Sequence, residues 1–243
     1  MTAQRIDALS PGTFELDGQE VEFAPGDTVL QAATRAGRHI PHLCWKEGLS
    51  AHASCRVCTV TVNGRSGAAC TVQAATGQVV HSHTPELNEQ RKTLLEMLFV
   101  EGNHFCPGCE KSGDCLLQAN AYDMKMTGPH FEALSPTRPV DASHPDVWLD
   151  RSRCILCGLC VRASAELDGK HVFAVGGHGI HTTLLVNSAS GLLGDSALSA
   201  DDHAAHICPV GALLPKRRGF AVPIGQRRFD VVPLAQQPEP DLP

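Results

Sequence analysis

The chain has 243 residues, enough for one large domain or for two or three small ones. Its net charge of −6 disfavours nucleic acid as a partner, because proteins that bind phosphate backbones carry a basic excess. No apolar run reaches the roughly 18 residues of a membrane helix, and the first residues lack the apolar core of a secretory signal. We therefore expect a cytoplasmic protein with no direct membrane insertion.

Eleven cysteines dominate the chemistry of the chain. The cytosol keeps thiols reduced, and an odd number of cysteines cannot be used up by a disulfide framework. Metal ligation explains them better, because thiolates are strong ligands for soft metal centres.

The first part of the chain alternates between strand and helix signals. Residues 13–23 predict a hairpin with an Asp17-Gly18 turn, and Asp27 is the expected N-cap of a short helix after it. The segments TVTVNGR and GQVVHS predict further strands. These signals indicate a small α+β unit over residues 1–80.

Four cysteines of this unit surround a single C-x-x-C pair: Cys44, Cys55, Cys58 and Cys70. Four thiolates can enclose a metal centre, and small residues between them let backbone N–H groups approach the sulfurs. The segment resembles the β-grasp [2Fe-2S] ferredoxin domain at the N-terminus of the large iron–sulfur subunit of respiratory complex I. That resemblance implies a [2Fe-2S] cluster on the four cysteines. A zinc site is the alternative, although zinc sites usually combine two short C-x-x-C motifs.

Residues 84–101 predict the clearest helix of the chain. Thr84 is the expected N-cap, Pro85 suits the first helical position, and Gly102 ends the pattern. The leucines of this segment form an apolar stripe that we interpret as ordinary core packing.

A second cysteine group follows this helix: Cys106, Cys109 and Cys115. Three cysteines leave a four-iron cluster one ligand short, and His104 is the nearest candidate for the fourth. The segment resembles the [4Fe-4S] motif of one histidine and three cysteines in complex I, [FeFe] hydrogenases and NAD-linked formate dehydrogenases. In those proteins the histidine usually stands four positions before the first cysteine, where this chain has Gly102. His81 and His83 are therefore more distant alternatives for the ligand.

A histidine ligand would change the charge of this centre. Neutral imidazole replaces a thiolate, so reduction should become easier. A zinc site with three cysteines and one histidine is the alternative for the same residues. We assign residues 81–128 to this small helical domain.

The last cysteine group begins after a proline-rich junction at residues 128–145. It comprises a C-x-x-C-x-x-C triplet and one distant Cys-Pro: Cys154, Cys157, Cys160 and Cys208. Bacterial ferredoxins combine such a triplet with a Cys-Pro, and the absence of a second triplet of this type makes Cys208 the simplest fourth ligand. Between them, VFAVGGHGIHTTLLVN predicts a strand pair. We expect a ferredoxin-like [4Fe-4S] domain over residues 129–220 and a flexible, proline-rich tail over 221–243.

One [2Fe-2S] and two [4Fe-4S] clusters would use every cysteine. The chain has no G-x-G-x-x-G after a strand, no P-loop and no evident nucleophile–base pair, so we expect no catalytic residue and no flavin or nucleotide site. Such a chain is predicted to carry electrons between partners that perform the chemistry.

From about residue 10 to about residue 220, the chain resembles the small diaphorase subunit of cytoplasmic NAD-reducing, bidirectional [NiFe] hydrogenases. The shortened spacing from His104 to Cys106 is part of that resemblance. It implies a heteromeric assembly with a diaphorase large subunit that binds FMN and NAD, and with small and large hydrogenase subunits that hold the Ni-Fe centre. Equivalent subunits of complex I or of an NAD-linked formate dehydrogenase are the alternative, and a zinc scaffold without a redox role is another.

Overall fold

The computed structural model describes residues 10–134 and 137–237. The α-helices in those ranges are α1 Val29–Arg35, α2 Pro85–Glu101, α3 Leu116–Asp123, α4 Leu159–Arg162, α5 His203–His206 and α6 Arg228–Val231. The strands in those ranges are β1 Gly12–Leu16, β2 Gln19–Phe23, β3 Thr59–Val62, β4 Arg65–Ala68, β5 Val79–His81, β6 Val140–Asp141, β7 Val147–Asp150, β8 Phe173–Gly176, β9 Thr183–Val186 and β10 Leu213–Pro215.

The first sheet has the strand order β2-β1-β5-β3-β4, in which β1 and β5 run parallel and the other pairs run antiparallel. The predicted first hairpin is confirmed: Asp17 and Gly18 both have positive φ, which suits a tight turn between twisted strands. Phe14 and Val21 lie on its buried face, as alternation along a half-buried strand requires.

The helix after this hairpin begins one residue later than the sequence predicts. Thr28, not Asp27, is the N-cap of α1, and its hydroxyl accepts a hydrogen bond from the Gln31 backbone N–H at 3.2 Å. The Gln31 side chain accepts in return from the Thr28 backbone N–H at 3.0 Å, which completes a capping box. The Asp27 carboxylate instead pairs with Arg35.

Helix α2 begins and ends where the sequence predicts, with Thr84 as N-cap and Gly102 after its last residue. Its apolar stripe includes a residue that the pattern does not predict, the fully buried Arg91. The guanidinium donates to the carbonyl oxygens of Val57 at 3.0 Å and Thr59 at 2.7 Å. Arg91 therefore links α2 to the segment that carries the cysteines of the first group.

The third part of the chain contains a three-stranded sheet, β10-β7-β6, and the separate hairpin β8-β9. The hairpin confirms the predicted strand pair, whereas the proline-rich junction contains the short strand β6 that the sequence did not predict. Leu149 of β7 and Leu213 of β10 are buried against the residues around the third cysteine group.

The end of the described chain packs against the middle cysteine segment. The backbone N–H of Phe229 donates to the Gly113 carbonyl at 2.8 Å, and the Arg227 guanidinium donates to the carbonyls of Glu110 and Ser112. Leu234 is buried, although it belongs to the segment predicted as a flexible tail. Residues 238–243 of that predicted tail lie outside the described ranges.

None of the helices in residues 10–134 and 137–237 is long and apolar enough to cross a lipid bilayer.

We expect Thr28→Ala to loosen α1, because the first helical N–H groups lose their acceptor. Loss of such a cap costs about 1 kcal/mol, which corresponds to roughly fivefold faster amide hydrogen exchange in the first turn. Thr28→Ser keeps the hydroxyl and should exchange as the wild type does. Equal protection in the alanine variant would contradict the capping role.

Candidate metal centres

The first cysteine group is assembled by the pairing of β3 with β4. Cys58 directly precedes β3 and Cys70 follows β4, and the register Thr59↔Ala68 places these two strand ends side by side. The Ala69 N–H extends the ladder by donating to the Cys58 carbonyl at 3.0 Å. Antiparallel pairing therefore brings together two cysteines that are separated by a hairpin.

The remaining two cysteines meet this pair through a tightly turned loop. Ala53 and Arg56 both adopt left-handed backbone conformations, with φ of 54° and 58°. Backbone N–H groups of Ser54 and Cys55 consequently point at the Cys44 sulfur. This loop agrees with the prediction that small residues let backbone N–H groups approach the sulfurs.

The four thiols of this group lie close together as two hydrogen-bonded pairs. A hydrogen bond from the Cys55 thiol lowers the pKa of Cys44 to about 5, and the same contact raises the pKa of Cys55. A second pair behaves alike: its hydrogen bond raises the pKa of Cys58 and lowers that of Cys70.

The middle group surrounds one small cavity, which is lined by His104, Cys106, Cys109 and Cys115. Cys115 is the N-cap of α3 and is buried, which raises the pKa of its thiol to about 12 in the metal-free protein. The predicted alternatives lie elsewhere: His81 is an exposed residue of β5, and His83 pairs with Asp17 at 3.6 Å. Of the candidate histidines, His104 alone lines this cavity with the three cysteines.

The surroundings of His104 favour a role as a metal ligand. Burial, with a smaller contribution from the charge of Arg153, lowers its pKa to about 4, so the ring is neutral near pH 7. Its Nε2 atom is buried and has no hydrogen-bond partner. A buried polar atom without a partner is costly, and a metal ion would satisfy it.

The lack of a side chain at Gly102 leaves room for the imidazole of His104, which stands two positions before Cys106. A Cβ atom at Gly102 would lie only 2.6 Å from His104 Nε2 and 2.8 Å from the Ser152 carbonyl oxygen. The imidazole of His104 therefore occupies the space that a side chain at position 102 would need. Any side chain at Gly102 would push the ring away.

The third group is again assembled by strand pairing. Cys154 follows β7 and Cys208 precedes β10, and these strands pair antiparallel with Leu213 opposite Leu149. All four cysteines of the group line one cavity: Cys154, Cys157, Cys160 and Cys208. Burial raises the pKa of each triplet thiol, so a metal must displace three protons there. The structure thus brings Cys208 to the triplet, as the sequence predicts.

Arginines beside the cysteines are the residues that sequence reasoning missed. Arg153 donates to the Cys109 sulfur at 3.7 Å and to the Glu110 carboxylate at 2.9 Å, and it directly precedes Cys154. Gly211, which follows Cys208 by three residues, packs so closely that a Cβ there would lie 2.6 Å from Cys109 Sγ. Residues that flank the third group therefore contact a cysteine of the middle group. The sequence signal that could have identified Arg153 is its position directly before the cysteine triplet.

The other histidines do not join the three groups. His144 is buried, accepts from the backbone N–H groups of Asp146 and Val147, and contacts the Leu198 carbonyl at 3.1 Å. It organises a loop of the third part of the chain.

Three protein-family profiles match consecutive parts of the chain. A 2Fe-2S iron-sulfur cluster binding domain matches residues 10–85, and an NADH-ubiquinone oxidoreductase-G iron-sulfur binding region matches residues 91–130. A 4Fe-4S single cluster domain matches residues 147–214. Each profile contains one of the three cysteine groups.

Whole-chain similarity points to hydrogenases that reduce NAD. The chain is 32% identical to a subunit of the NADH-quinone oxidoreductase of Rickettsia bellii over 84% of its length, but it spans only 30% of that protein. It is 58% identical to a chain in a crystal structure of NAD+-reducing [NiFe]-hydrogenase in the H2-reduced state, with a TM-score of 0.90 and coverage of 93% and 96%. It is also 38% identical to the gamma subunit of the NAD-reducing hydrogenase HoxS of Cupriavidus necator, over 89% of this chain and 92% of that protein. The chain belongs to the family of this hydrogenase subunit.

Proposed function

We propose that the chain is the iron–sulfur electron-transfer subunit of an NAD-reducing [NiFe] hydrogenase, which performs H2 + NAD+ = H+ + NADH. The observation that carries the proposal is the complete use of the cysteines. All eleven are free thiols, and each lies in one of three groups that the fold brings together. Iron–sulfur clusters, when bound, take up and release one electron at a time, which suits a link between two-electron reactions at separate subunits.

We assign a [2Fe-2S] cluster to the first group: Cys44, Cys55, Cys58 and Cys70. We assign a [4Fe-4S] cluster to the middle group: His104, Cys106, Cys109 and Cys115. We assign a second [4Fe-4S] cluster to the third group: Cys154, Cys157, Cys160 and Cys208. The convergence of each group and the partnerless Nε2 of His104 support these ligand sets.

The fold supports a finer division of the chain. The strand order of the first sheet, with its central parallel pair and α1 beside it, is that expected of a β-grasp ferredoxin domain over residues 1–80. We infer a helical [4Fe-4S] domain over residues 81–128 and a ferredoxin-like [4Fe-4S] domain over 129–220. The three matching profiles support the division into three parts, although the first of them extends to residue 85.

Zinc sites explain the same residues less well. A zinc site needs its donors around one ion, whereas a cubane takes each protein ligand on a different iron and so holds the ligands farther apart. Among residues 10–134 and 137–237, no three histidine, cysteine, aspartate or glutamate side chains are arranged to hold a single ion. This geometry favours cubanes for the middle and third groups, and the match to a 2Fe-2S iron-sulfur cluster binding domain favours a [2Fe-2S] cluster for the first.

We therefore expect anaerobically purified protein to contain roughly ten irons per chain, as one [2Fe-2S] and two [4Fe-4S] clusters require. Iron and zinc are both measured by elemental analysis of the same sample. Zinc without iron would refute all three assignments.

The His104 assignment has its own test. We expect His104→Ala to alter the EPR spectrum of the middle cluster alone, and Gly102→Ala to do the same because its Cβ displaces the ring. His104→Cys should retain the cluster at a more negative potential, since thiolate adds negative charge. His81→Ala is the matched control and should match the wild type. An unchanged spectrum and potential in His104→Ala would show that another group is the ligand.

We further propose a cytoplasmic, heteromeric complex. Its partners would be a diaphorase large subunit with FMN and NAD and the two hydrogenase subunits with the Ni-Fe centre, as the similarity to the NAD+-reducing [NiFe]-hydrogenase suggests. The alternative, a subunit of complex I or of a formate dehydrogenase, is favoured only by the similarity to the NADH-quinone oxidoreductase of Rickettsia bellii and its relatives.

Isolation of the native complex decides between these assemblies. We expect co-purification of a flavin subunit and of nickel, together with H2-dependent reduction of NAD+. A complex that contains quinone-reactive membrane subunits, or that oxidises formate and lacks nickel, would overturn the hydrogenase assignment.

A further inference from the structure

Arg162 joins the backbone of the first cysteine group to that of the third. It lies at the end of α4, two residues after Cys160, and is buried. One terminal nitrogen, Nη2, donates to the carbonyl oxygen of Cys44 at 2.7 Å and to that of Cys157 at 3.2 Å. A single nitrogen atom therefore bridges ligand residues that are 113 positions apart, as the difference between numbers 157 and 44 gives.

The rest of the guanidinium holds the loops on either side. Nη1 donates to the Ser50 carbonyl, and Nε donates to the Gly158 carbonyl at 3.2 Å. Glu166 reinforces the same contact, because its carboxylate accepts from the Ser50 backbone N–H at 2.9 Å. Arg162 and Glu166, which follow the cysteine triplet of the third group, thus both bind the loop between Cys44 and Cys55.

Arg162 makes no direct ion pair among the described residues. Each acceptor of its four hydrogen bonds is an uncharged carbonyl oxygen, and no carboxylate of the described residues lies within ion-pair distance. Glu166 acts on it only as a longer-range charge. A buried cation that has only such a longer-range partner is further stabilised by other negative charge nearby. The two cysteine groups that it joins carry such charge when their thiolates bind iron.

We propose that Arg162 is a positioning residue shared by the first and third clusters, which fixes their ligand loops together and places one permanent positive charge beside both. The inference rests on the cluster assignments proposed above. A positive charge favours the reduced form of a cluster, because reduction adds one negative charge. Arg162 should therefore raise both potentials.

Arg91 provides a matched control. It is also buried and also donates to carbonyl oxygens, but it contacts the first cysteine loop at Val57 and not the third group. Removing the charge of Arg91 is thus expected to change the reduction potential of one cluster, and removing that of Arg162 the potentials of two.

The test is an EPR-monitored redox titration of the cluster-loaded full chain, purified anaerobically. For Arg162→Gln we expect the reduced-to-oxidised ratio at a fixed potential to fall about tenfold in the first and third clusters, which is a shift of about 59 mV for a one-electron couple. The middle cluster should keep its potential. Arg91→Gln should shift the first cluster alone.

Arg162→Lys keeps the measurement possible if the glutamine variant does not take up iron. It retains the charge but cannot donate to all four carbonyls from one planar fork, so both potentials should fall by less than in Arg162→Gln. A shift in only one cluster, or in neither, would overturn the shared role, as would a shift of the third cluster in Arg91→Gln. Absence of the expected cluster signals from the wild type would instead overturn the assignments themselves.

Discussion

Antiparallel pairing between strands that lie near cysteines in the chain is the constraint on which this structure depends. β3 and β4 place Cys58 beside Cys70, and β7 and β10 place Cys154 beside Cys208. A ladder fixes which residues are opposite, and a slip of one residue would turn every side chain to the other face. The register of two short ladders therefore determines whether thiols that are distant in sequence can share a cluster.

Arginines stabilise the loops that these ladders leave open. Arg153 is half-buried and pairs with the carboxylates of Glu110 and Asp150. Arg91 and Arg162 are buried and join a cysteine loop to another segment mainly through carbonyl oxygens. Carbonyl acceptors satisfy the N–H groups of the guanidinium but leave its positive charge in place. That remaining charge suits a protein that binds anionic clusters, because it offsets negative charge that water cannot reach. The same side chains thus serve the fold and the proposed electron transfer.

The arrangement of the groups agrees with a protein that relays electrons and performs no bond chemistry itself. The third group contacts the first through Arg162 and the middle one through Arg153 and Gly211, so the three ligand sets form one continuous unit. The family comparisons associate such a unit with subunits of larger complexes. Its proposed function therefore depends on the relative positions of the three groups, which these contacts set.

The sequence by itself determined the local features: the tight turn at Asp17-Gly18, the limits of α2 and the C-x-x-C motifs within the cysteine groups. These depend on near neighbours, since turn conformation, helix capping and C-x-x-C geometry are set within a few residues. Only the tertiary structure decided that Gly102 leaves space for the imidazole of His104 and that Leu234 is buried in a segment predicted to be flexible. It also decided that Arg162 bridges the backbones of two cysteine groups. Such contacts join segments distant in the chain, and burial decides their energy, which no local pattern records.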